Sequence, residues 1–185
     1  MSHLLHQLPN GLRIVFQPAQ SSVGHVALLI NTGSRDELEN EQGMAHFIEH
    51  NLFKGTKKRK AYHILSRLDD VGGDLNAYTT KEETIIHASF LQNYLDRSVE
   101  LIADILINST FPEKELKKEK DVIRDEIDSY ADSPSEQIFD DFENVVFANH
   151  PMGRSILGTP ESLDLFTRQM VLTFIARNYH PERMV

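Results

Sequence analysis

The run Gly43-Met44-Ala45-His46-Phe47-Ile48-Glu49-His50-Asn51-Leu52 sets the tightest constraint on how this chain can fold. Residues 43–54 read as a helix that stops near Gly55, a glycine suited to end it. Successive helical residues advance by about 100°, so His46 and His50 lie about 40° apart, one turn above the other. Glu49 lies about 60° to the other side of His46. The rest of the helix carries Met44, Ala45, Phe47, Ile48 and Leu52, and a helix that is apolar elsewhere is a buried one. A buried face bearing two imidazoles and a carboxylate needs something opposite to satisfy it.

A metal ion with its water meets that need, because imidazoles one turn apart can both reach a single zinc. The chain has 185 residues and no cysteine, which excludes a disulfide framework and a thiolate site. Any transition metal must be held by His, Asp or Glu. A short His/Glu pattern arises by chance in roughly one chain in a hundred of this size, so an independent signal is needed.

Residues 112–130 provide it. They read as a helix opened by a proline in its first turn. Leu116, Ile123, Ile127 and Tyr130 form a stripe at helical spacing, with Glu119 and Glu126 beside it and Val122 beyond them. Carboxylates on the core side are costly unless they meet a cation or a strong donor. Glu113, Asp121 and Asp125 read as solvated, and Glu115 suits the first turn, where the helix dipole favours a carboxylate. One metal site short of a ligand and one helix with core-facing carboxylates explain each other. His46, His50 and Glu126 are the expected Zn2+ ligands, with Glu119 behind them, orienting a histidine or supporting the metal's charge. Three protein ligands leave a position open for water, and Glu49 is placed to take that water's proton.

The remaining patterns describe an α+β domain. Two short strands around Pro9-Asn10-Gly11 form a hairpin, and 25–30, 74–80 and 83–90 read as further strands. Helices are expected at 61–71, 92–107, 134–147, with Ser133 as a candidate N-cap, and 167–178. Residues 150–160 read as a loop, and the basic run 57–60 as a solvated one. The other histidines, among them His25, His87 and His150, show no ligand spacing and read as locally satisfied. A net charge of −9 argues against a nucleic-acid partner. No stretch approaches a membrane span, and Met1 to Gln7 carry no cationic start with a long apolar run, so a cytoplasmic location is expected. Met184-Val185 is an odd place for a domain to finish, so the last strand of the sheet is expected to be truncated in a piece of a longer protein.

His-x-x-Glu-His is the inverted zincin motif. With Gly33-Ser34-Arg35-Asp36-Glu37 before it and Phe53-Lys54-Gly55-Thr56 after it, the segment closely resembles the peptidase family of pitrilysin, insulinase and the mitochondrial processing peptidase. Glu126, 76 positions after His50, matches the family's third ligand, and His150-Pro151-Met152-Gly153-Arg154 resembles a further family segment. Asn51 departs from it, standing where the family commonly has methionine, with an effect expected on packing rather than on metal.

The resemblance implies a mixed, largely antiparallel sheet packed against several helices, with residues 1–185 as the N-terminal zinc-binding catalytic domain of a two-domain protein. It implies a zinc-dependent endopeptidase whose peptide substrate adds as a strand along Asn76, Ala77 and Tyr78. It also implies a second homologous domain or subunit that closes a chamber over the first, and so a homo- or hetero-dimer where that half is a separate chain. Some relatives are instead non-catalytic structural or assembly subunits, but intact His46, Glu49, His50 and Glu126 favour catalysis.

Overall fold

The computed structural model describes residues 3–185; Met1 and Ser2, the start of the stretch read as free of a signal peptide, lie outside the described residues. Gly11 takes φ +93, a left-handed conformation open to glycine, and closes the expected hairpin. Its strands are β1 (Leu4–Gln7) and β2 (Arg13–Phe16), paired antiparallel with Leu4 opposite Phe16. A second sheet has the order β3 (Val23–Ile30), β5 (Thr84–Leu91), β4 (Asp74–Thr79), again antiparallel throughout. On β5 the alternate residues Ile86, Ala88 and Phe90 are buried, and Ala77 of β4 joins them on the face that meets the helices.

Seven α-helices follow among the described residues: α1 (Met44–Leu52), α2 (Ala61–Asp69), α3 (Leu95–Asn108), α4 (Glu113–Ala131), α5 (Pro134–Val146), α6 (Pro160–Leu165) and α7 (Arg168–Asn178). Helix α1 occupies the centre, with Met44, Ala45, Phe47 and Ile48 wholly buried against a core that includes Ile64, Leu101, Ile123 and Phe174. Burying a large apolar side chain contributes about 1.5–3 kcal/mol, so the three on α1 hold it where the sheet and the other helices meet. No helix among the described residues is long and apolar enough to cross a membrane.

Three local features differ from expectation. Helix α1 ends at Leu52, two residues early. Helix α6 lies just past the expected loop and was not foreseen: the Thr159 hydroxyl accepts from Ser162 N, and Pro160 opens the first turn. Ser133 does precede α5, but its side chain caps nothing.

Val185 and Leu29 exchange two backbone hydrogen bonds, while Arg13 N donates to Met184 O. Met184 and Val185 thus enter between β2 and β3 and tie the hairpin to the sheet.

The basic run contains a correction. Lys57, Lys58 and Lys60 are exposed, but Arg59 turns inward to Glu100 and to the buried Asp104 of α3. Asp104 also accepts from Thr56 Oγ1 and Asn108 Nδ2, both at 2.8 Å. Burial pushes the Asp104 carboxyl up, yet Thr56, Asn108 and Arg59 bring it below its ordinary value. A carboxyl depressed in the fold stabilises it above the unfolded pKa and loses that contribution as pH falls through the folded one. Asp104→Asn is therefore expected to cost about 2–4 kcal/mol near neutral pH, with the gap to wild type closing below about pH 4 in denaturant titrations.

Asn51 is wholly buried, its Nδ2 donating to Phe47 O at 2.7 Å while its Oδ1 meets no donor. A buried unsatisfied acceptor is costly. Asn51→Leu, close in volume, is expected to raise stability by about 1 kcal/mol in thermal melts; a loss of that size would show that the amide has a partner role.

Candidate metal centre

Helix α4 crosses α1 and brings its carboxylates to the histidine face. Glu126 Oε2 stands 3.7 Å from His46 Nε2 and 3.5 Å from His50 Nε2. One ligand-capable atom from each of these three residues lies within 4.8 Å of the others, the one such group found among the described residues. The imidazoles meet edge to face, with centroids 4.5 Å apart. His50 Nδ1 faces Glu119 Oε2 at 3.2 Å, which leaves Nε2 with its lone pair towards the junction. Burial, reinforced by the neighbouring His50, drives the His46 pKa down to about 3, so His46 stays neutral with a lone pair to give. Two imidazole nitrogens and a carboxyl oxygen match the donor set of zinc with an open fourth position, so these residues fit the expected ion.

Glu119 and Glu126 divide in a way that spacing did not reveal. Glu119 is buried as expected, held between His50 and Lys54, whose Nζ lies 2.7 Å from its Oε1. Glu126 is not core-facing: 43% of its side chain is exposed, and Val122, placed beyond the pair, is exposed too. The reason is geometric. Helix α4 buries Leu116, Glu119 and Ile123 and packs Ile127 against the core, while Glu126 lies to the side of that stripe and is open to solvent.

Glu49 is half-buried on the side of α1 that faces β4. Burial raises its carboxyl pKa; Thr79 and His50 oppose the shift, and Glu126 adds to it. Strand β4 is the edge of its sheet, with no strand on its outer side among the described residues. There Ala77 is buried, Ala77 N donates to Asn76 Oδ1 at 2.9 Å, and Tyr78 is exposed beside the His87 ring. The histidines outside the centre make local contacts: His25 with Ser89 Oγ, His150 with Met152 N and His180 with Arg177 O.

Two contributors escaped the sequence reading. Lys54 has no spacing that marks it, since it follows the last turn of α1. Glu37 does carry a signal in retrospect: a buried helix opened by Gly43 has no side-chain cap of its own, so a cap must come from elsewhere. Both Glu37 oxygens accept from the start of α1, and burial pushes its carboxyl up to about 8 against the pull of those amides.

A carboxylate behind a ligating histidine fixes the ring and raises its basicity, an effect typically worth 10–100-fold in metal affinity. Glu119→Ala is expected to weaken zinc binding by about that factor in chelator competition, with the fold retained by circular dichroism.

Comparison with known proteins extends this picture. Residues 13–160 match the family described as insulinase, peptidase family M16. The chain is 42% identical over 180 residues to an uncharacterized zinc protease of Mycobacterium leprae, covering 96% of this chain and 40% of that protein. It is 36% identical over 179 residues to a probable mitochondrial-processing peptidase subunit beta of Arabidopsis thaliana, covering 96% of this chain and 34% of the relative. The crystal structure of a protease from Helicobacter pylori superposes with a TM-score of 0.93 at 28% identity, over 99% of this chain and 45% of that one. An inactive M16 peptidase domain from Pseudomonas fluorescens shares the fold, with a TM-score of 0.92 at 17% identity. The chain thus spans less than half the length of these relatives. By the extent of the match and the identity to its relatives, this chain belongs to the insulinase family of peptidases, M16.

Proposed function

We propose that residues 1–185 are the zinc-binding catalytic half of an endopeptidase that cleaves peptides or unfolded polypeptides. The observation that carries this reading is the convergence of His46 Nε2, His50 Nε2 and Glu126 Oε2, with Glu49 beside them on α1. When bound, zinc supplies Lewis-acid polarisation of a peptide carbonyl and lowers the pKa of water. Glu49 then takes a proton from the attacking water and returns it to the leaving amine, so its raised pKa suits a group that must both accept and release. Glu119, anchored by Lys54, keeps the His50 Nδ1 proton in place. The open edge of β4 offers the substrate a strand partner at Asn76, Ala77 and Tyr78, binding backbone with little sequence preference.

The length of the relatives supports a second homologous domain or subunit that closes over this one, in the same chain or as a partner. A second reading, a non-catalytic subunit of the same family, has a precedent of fold in the inactive domain from Pseudomonas fluorescens. Retention of all four chemical groups favours the catalytic one.

The test pairs metal content with turnover in protein completed by its second half. Glu49→Gln is expected to keep zinc and lose turnover by a factor on the order of 10²–10⁴, whereas His50→Ala loses both. Undiminished turnover in Glu49→Gln would refute the assigned base, and wild-type zinc content in His50→Ala would refute the ligand set.

A further inference from the structure

Helix α1 begins in a place where it cannot cap itself. Its N-cap is Gly43, at φ +90, a conformation that side chains rarely adopt. A Cβ there would lie 2.6 Å from Leu157 O, so Ser, Thr or Asp is excluded by space as well. Water gives no relief, because Met44 and Ala45 are wholly buried. A helix start with free amides and no solvent needs an acceptor from outside.

Glu37 is that acceptor. Its Oε2 takes Gly43 N and its Oε1 takes Ala45 N, each at 2.9 Å, and Glu37 is itself buried. The segment that carries it is pinned in turn. Arg154 NH1 donates to Glu37 O at 3.3 Å, and Arg177 NH1 reaches Glu41 Oε1 at 3.0 Å. His46 follows Ala45 directly, on the same first turn. His50 is held independently, one turn on, by Glu119 and Lys54. His46 has no comparable support, since its Nδ1 is buried without a hydrogen-bond partner.

We propose that Glu37 is a positioning residue for the metal centre: its carboxylate fixes the first turn of α1 and thereby places His46 against Glu126. The proposal rests on the zinc-binding reading above. Replacing the carboxylate by an amide keeps the shape but turns one acceptor into a donor facing a backbone N–H. The turn must then shift, and His46 shifts with it.

Zinc affinity, read by competition with a chromophoric chelator, separates this role from simple loss of stability. Glu37→Gln is expected to weaken zinc binding tenfold or more, whereas Asp104→Asn, which loosens the fold at α3, stays within twofold of wild type. An affinity in Glu37→Gln within twofold of a wild type that binds zinc overturns the proposal, as does an equal loss in Asp104→Asn. Should wild type take up no zinc, the functional reading fails instead, and hydrogen exchange of the Ala45 amide decides. Exchange at least tenfold faster in Glu37→Gln, with the Ile123 amide of α4 unchanged, supports the proposal, and an unchanged Ala45 rate overturns it. If Glu37→Gln does not fold, Glu37→Asp is measured the same way. It retains the carboxyl group one methylene short and is expected to lose at least threefold in affinity, with no loss overturning the proposal.

Discussion

The crossing of α4 over α1 is the contact on which the centre depends. Neither helix holds a complete donor set: α1 supplies two imidazoles and α4 one carboxylate oxygen, from positions 76 residues apart. What fixes their approach is apolar. Ile123 of α4 and Met44, Phe47 and Ile48 of α1 belong to one buried cluster, and Leu116 anchors the earlier turn of α4. The polar atoms are brought to within 4 Å by side chains that have no chemistry of their own. Such a site tolerates little movement, because close-packed interiors pass a shift in one helix directly to its neighbour.

Much of this was legible in the sequence because helical periodicity is strong over long, mixed segments. The facing of His46 and His50 follows from 3.6 residues per turn alone, and the strand alternation around Ile86, Ala88 and Phe90 follows from a period of two. What periodicity could not supply was the distance of each turn from the core. Leu116, Ile123 and Ile127 keep one side of α4 on the core, yet of the two glutamates beside them Glu119 is buried and Glu126 exposed, and only the packing of the whole domain decides between them. The same limit hid Arg59. Its neighbours in sequence are solvated lysines, and its partner Asp104 lies on a helix 45 positions away. Short elements were lost for another reason, since the six residues of α6 are too few for a period to show.

Apolar surface left uncovered is confined to particular places. Leu4, Leu5, Val15 and Phe16 are exposed on the hairpin, and Ile138, Phe139, Phe142 and Val145 on α5. Scattered apolar residues on a surface need no account, but contiguous ones mark faces that meet something else. The hairpin is tied to the sheet through the hydrogen bond from Arg13 N to Met184 O. Helix α5 is set beside α4 while its apolar side chains face outward, and Lys81 fixes it by pairing with Glu143 and Asp140.

The two carboxylates of α4 differ in burial and in the partners they meet. A buried carboxylate is tolerated only with partners that satisfy both oxygens, and Glu119 has them: Lys54 Nζ on one and His50 Nδ1 on the other. Glu119 is thereby engaged at His50 Nδ1 and Lys54, and it is not among the three residues whose donor atoms converge. Glu126 has the opposite character. Its Oε2 meets only the two histidine Nε2 atoms, and its exposure keeps the cost of an ionised group low until a cation arrives. In the proposed reading the peptide lies along the edge strand β4, on the side of α1 that carries Glu49.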